Sequence, residues 1–80
     1  MTAGEATRKR IIELIQNQGI TVNKLATRSG ITQSTLNNIT SGRNHSTSIA
    51  TIQKLCDGLG ISLRSFFDSE LFEGLEQEVK

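Results

Sequence analysis

Between Gln33 and Ser41 the chain sets glutamine, serine, threonine and asparagine around two aliphatic residues, and carries no charge. On a helix advancing about 100° per residue, with Gln33 at zero, Asn37 falls near 40°, Ser41 near 80°, Ser34 near 100° and Asn38 near 140°, while Leu36 and Ile39 fall near 300° and 240°. One face is therefore aliphatic and the other is built of short amides and hydroxyls. Solvated helix faces usually carry Lys and Glu. Amides and hydroxyls can instead bond to base edges in the major groove of DNA, where glutamine pairs bidentately with adenine. That chemistry would fall to Gln33, which opens the segment, to Ser34, and one turn later to Asn37 and Asn38. On residue types alone, a merely polar surface fits equally well.

Few other residues offer chemistry. The chain has one cysteine and one histidine, too few for a structural zinc site or an internal disulfide. Cys56 falls on the apolar side of its segment with no His or acid placed to activate it, so it reads as a buried thiol. His45 lies in a loop near Arg43 and reads as solvent-exposed, with a phosphate contact as the alternative. Phe66 and Phe67 read as core, with one of them able to face a partner. A Gly-rich phosphate loop, a carboxylate pair and a His/Cys cluster are all lacking in the sequence. We therefore expect no enzyme activity, no cofactor and no metal.

The amide face has to be held by its neighbours. From Val22 to Ser41 the spacing predicts a short helix, a three-residue turn and a second helix. Ala26 lets the two approach closely. Gly30 can take the positive φ that the reversal needs. Leu25, Ile31, Leu36 and Ile39 form the seam. The triplets Gly19-Ile20-Thr21, Gly30-Ile31-Thr32 and Gly60-Ile61-Ser62 repeat one stop-and-restart signal. The Gly ends a helix, the Thr or Ser caps the next, and the Ile finds a staple partner in Leu25, Leu36 or Phe66.

These joints predict a first helix from about Glu5 to Asn17, with Ile11, Ile12, Leu14 and Ile15 inward and residues 1–4 disordered. The third helix spans 33–41 and ends at Gly42, followed by a loop from Arg43 to Thr47. Ser48 caps a fourth helix from Ile49 to Asp57, with Ile49, Ile52, Leu55, Cys56 and Leu59 inward. A fifth runs from Ser62 through Phe67. No alternation is long enough for a strand, so the expected fold class is all-α with five helices. Beyond it, Phe67, Leu71, Leu75 and Val79 recur every four residues, with Phe72 beside them and Glu70, Glu73, Glu76 and Glu78 on other faces. This sixth amphipathic segment, weakened by Gly74, can pack back, fray or pair with a second copy. Homodimer contact through Phe67, Leu71, Phe72 and Leu75 is the reading carried forward.

Eighty residues at 35% hydrophobic content fill one small core of mainly Ile and Leu. We expect one domain over 1–80, its core about 5–68, with an acidic tail over 69–80. No apolar run approaches the roughly 18 residues of a membrane span, and the first ten residues do not form a secretory signal. A soluble, cytoplasmic protein is the expectation. The net charge of +1 hides an asymmetry: residues 6–64 carry eight cations against two acids, and residues 65–80 one against five. Nucleic acid requires local positive charge more than a high overall pI. Arg8, Lys9 and Arg10 stand near the start of the first helix, where its dipole disfavours cations. Phosphate contact would explain that placement, and so would a solvated basic turn.

Several of these features together resemble the phage-repressor-like helix-turn-helix family, often called Cro/cI or XRE. They are L-A-x-x-x-G-I at 25–31, T-Q-S at 32–34, Leu36, Ile39 and S-G at 41–42. The stretch I-x-x-L-C-D-G-L-G-I-S-L at 52–63 is similar to the family's fourth helix and following turn, and the likeness covers roughly residues 8–68. It implies a five-helix bundle of the lambda-repressor type, with the helix-turn-helix formed by helices 2 and 3. It also implies a small bacterial or phage transcriptional regulator, most simply a repressor, acting as a dimer on a palindromic site in double-stranded DNA. Phosphate contacts would then come from Thr21, Lys24, Thr32, Arg43 and Asn44. Four positions depart from the family pattern. Val22 stands where many members have a Gln that braces the first recognition Gln. Ser29 replaces a residue that is often apolar. Ile15 and Thr40 occupy the places of an Arg–acid pair found in some phage repressors. The alternative function is a protein-interaction module, such as an antitoxin-like partner, on the same scaffold.

Overall fold

Three helix ends are built the same way. In the computed structural model, which describes residues 1–43 and 47–77, Gly19, Gly30 and Gly60 are left-handed, with φ of 63°, 69° and 72°. The amide of the isoleucine after each turns back to the helix just ended: Ile20 to the carbonyl of Ile15, Ile31 to Ala26 and Ile61 to Cys56, at 3.0–3.2 Å. This is the Schellman closure, which satisfies carbonyls that a helix end would leave bare. One residue later, Thr21, Thr32 and Ser62 accept from the amides of Lys24, Thr35 and Ser65. Leu25, Leu36 and Phe66 follow and are buried, with the three isoleucines packed against the same core.

The joints give α1 (Ala3–Gln18), α2 (Val22–Ser29), α3 (Gln33–Thr40), α4 (Ile49–Leu59) and α5 (Leu63–Phe67), then a 3-10 turn over Glu70–Phe72. Among the described residues there is no strand. The core joins Ile11, Leu14 and Ile15 of α1, Leu25 and Ala26 of α2, Leu36 and Ile39 of α3, Ile52, Leu55, Cys56 and Leu59 of α4, and Phe66 of α5. Burying each large aliphatic side chain contributes roughly 1.5–3 kcal/mol. α2 and α4 approach each other closely. A side chain on Gly58 would begin 2.3 Å from Ser29 Oγ, 3.1 Å from Ser29 N and 3.2 Å from Leu25 Cδ1.

The structure corrects the sequence reading at both ends. Residues 1–4 are ordered into the start of α1. Thr2 is its N-cap, and Thr2 and Glu5 form a reciprocal capping box. The tail up to residue 77 is not a sixth helix. Ser69 Oγ accepts from the amide of Leu71 and Gly74 takes a φ of 64°, so the chain makes one tight turn and runs on extended. The Glu76 amide donates to the Met1 carbonyl at 3.0 Å, and its carboxylate lies 3.0 Å from the Met1 ammonium. Phe72 packs on Phe66 and Phe67, with centroids 6.1 and 5.0 Å away. Leu71, Phe72 and Leu75 are half-buried against this same chain, while Phe67 is 38% exposed. Glu78 and Val79 lie outside the described residues. Ile49, expected inward, is 60% exposed, because it holds the first position of α4, before the inward stripe that starts at Ile52.

Candidate nucleic-acid interface

Leu36 and Ile39 anchor α3 to the core, and everything the sequence placed opposite them points outward. Gln33, Ser34 and Asn37 are exposed and Asn38 is half-buried. Among the described residues none of these four side chains bonds to the protein. Thr40 and Ser41 instead bond back to the backbone of their own helix, donating to the Asn37 and Asn38 carbonyls. The amide heads of Gln33, Asn37 and Asn38 thus keep their full hydrogen-bonding capacity, two donors and a carbonyl each.

The cap of α3 contains a residue the sequence reading missed. Thr32 Oγ1 accepts from the Thr35 amide at 3.1 Å and lies 2.7 Å from Thr35 Oγ1. Whichever hydroxyl donates in that contact, one proton of the pair remains for an outside acceptor such as a phosphate oxygen. The T-x-x-T spacing from N-cap to third helical position was the available signal. Thr21 caps α2 in the same manner, accepting from the Lys24 amide at 3.1 Å, and its hydroxyl proton stays available. Lys24 and Arg43 are exposed. The structure thus leaves Thr21, Lys24, Thr32 and Arg43 open to solvent in and around the helix-turn-helix. Asn44 and His45 lie outside the described residues.

The departures from the family pattern have plain structural outcomes. Val22 is half-buried and packs against the core, so Gln33 stands without a bracing neighbour. Ile15 is buried in the core. Ser29 is also buried, and its hydroxyl has no partner. Cys56 is 1% exposed, and burial pushes its thiol up, with the Asp57 charge adding to the effect. Near neutrality it stays a protonated thiol.

Charge is sorted by position. Glu13, Glu70 and Glu73 line one hollow with Met1, Ser69 and Leu71, where α1 meets the 3-10 turn. No acid occurs in α2 or α3.

Residues 11–66 match the helix-turn-helix family model HTH_3. In structure the chain is similar to prophage Lp1 protein 11, known from its crystal structure, with a TM-score of 0.76 and 43% sequence identity. That likeness covers 86% of this chain and 91% of that one. No curated protein matches the sequence. The family match spans most of the core that holds α3 in place. The chain belongs to the phage-repressor-like, XRE-type helix-turn-helix family of DNA-binding regulators.

Proposed function

We propose that the protein is a sequence-specific transcriptional repressor that binds double-stranded DNA by laying α3 in the major groove. The observation that carries this reading is the unengaged amide face of Gln33, Ser34, Asn37 and Asn38 on a helix whose other side is locked into the core. In this reading Gln33 pairs with an adenine edge, Ser34 approaches the next base or a phosphate, and Asn37 and Asn38 reach bases one turn further on. Thr21, Lys24, Thr32, Arg43 and Asn44 hold the sugar-phosphate backbone and set register. The likeness to a prophage protein supports a phage-borne or bacterial regulator acting in the cytoplasm.

Two copies on a palindromic operator would set their α3 helices about 34 Å apart, one turn of DNA. Of the four residues expected to join them, Phe67 is the one still exposed. Leu71, Phe72 and Leu75 would add only their outer edges.

Selection from random duplexes followed by fluorescence anisotropy tests the reading. A preferred, two-fold symmetric site is expected, with affinity falling steeply between about 50 and 200 mM salt. Failure to bind any duplex at low salt would overturn it in favour of a protein-interaction module, such as an antitoxin-like partner.

A further inference from the structure

We propose that Arg8 contacts a DNA phosphate and extends the interface onto the first helix, an inference that rests on the DNA-binding reading above. The fold divides the basic run Arg8-Lys9-Arg10 among three fates. Arg10 is consumed within the protein. Its Nε donates to the Phe66 carbonyl and its Nη2 to the Ser65 carbonyl, each at 2.8 Å, and its Nη1 pairs with Glu13. Lys9 is exposed on α1. Arg8 runs to the end of α3: its Cδ and Nε lie 3.7 and 3.9 Å from where a side chain on Gly42 would begin.

Gly42 follows Ser41, the C-cap of α3, and precedes the exposed Arg43. The stem of Arg8 thereby lies alongside Gly42 at the end of α3, and its guanidinium makes no hydrogen bond or ion pair among the described residues. Arg43 has no acidic partner among them either. The two arginines flank one glycine with no counter-charge between them. A guanidinium fork matches a phosphate's oxygens bidentately. A purely internal role, with the cation answering the negative pole of α3, predicts a different result in solution.

The test is the salt dependence of duplex binding, read by anisotropy on the preferred site and on a random duplex. Arg8→Gln is expected to weaken both about fivefold at 0.15 M salt and to reduce the slope of log affinity against log salt by about 0.9, the signature of one lost phosphate. Its melting temperature should match the wild type, and Arg8→Lys should retain most of the slope. An unchanged slope, with or without a lowered melting temperature, overturns the proposal. In the wild-type chain the Arg8 Nε–H resonance is expected to shift on adding duplex while that of Arg10 stays in place. An unmoved Arg8 resonance overturns the proposal whether or not the variant folds. A wild-type protein that binds no duplex would instead sink the DNA-binding reading beneath it.

Discussion

Ser29 spends a buried position on a hydroxyl that bonds to nothing. Alanine there removes the unmet donor and keeps the small volume that Gly58 demands. Ser29→Ala is expected to stabilise the protein by about 1 kcal/mol, or roughly 4–8 °C in a chain of this size, read by thermal unfolding. A lowered melting temperature would mean the hydroxyl is satisfied by water. At the surface, Gln33→Ala should relax preference at one base pair at a cost of about 1–3 kcal/mol. Equal weakening on all sequences would make Gln33 a positioning residue instead. Glu5 answers to pH. Its bonds to the backbone and hydroxyl of Thr2 hold its carboxyl below the usual glutamate range. Because the folded pKa lies below the unfolded one, ionised Glu5 stabilises the cap at neutral pH, and that contribution is lost as the pH falls through the folded value, below about pH 4.3. Melting temperatures of Glu5→Gln and wild type should therefore converge between pH 5 and about pH 3; a gap that stays constant would contradict the capping role. The outward face of α3 was legible because helical angle alone separates Gln33 and Asn37 from Leu36 and Ile39. Where Arg8 and Arg10 go was not, since a run of three cations has one spelling and three tertiary destinations.

Elements join here through a local code, and the code was readable. Gly-Ile-Thr/Ser supplies a left-handed stop, a return bond and a cap within three residues, so the boundaries of α2, α3 and α5 followed from sequence. The contact between α2 and α4 was not readable, because it depends on Ser29 and Gly58, twenty-nine positions apart. Alanine at 58 would improve helix propensity by about 1 kcal/mol, yet its Cβ would collide with Ser29 Oγ. Gly58→Ala is therefore expected to lower stability. Adding Ser29→Ala should recover part of the loss, because the closest of the three obstructing atoms is gone. A double-mutant cycle with a coupling below about 0.5 kcal/mol would show that the helices simply move apart.

For the whole molecule, the tail decides how much of the chain is structural. A period of four from Phe67 to Val79 spells a helix, but Ser69 and Gly74 interrupt it locally. The aromatic contacts of Phe72 with Phe66 and Phe67 hold the turn that results. Phe72→Ala is expected to cost about 1–3 kcal/mol in chemical denaturation. No loss would leave the tail free for another role. The side chains proposed to read DNA stand in the opposite situation, since Gln33, Ser34 and Asn37 are exposed and make no hydrogen bond among the described residues. On the proposed reading, a lineage carrying this scaffold could retarget to a new operator by exchanging a few side chains on the outer face of α3, leaving its architecture untouched.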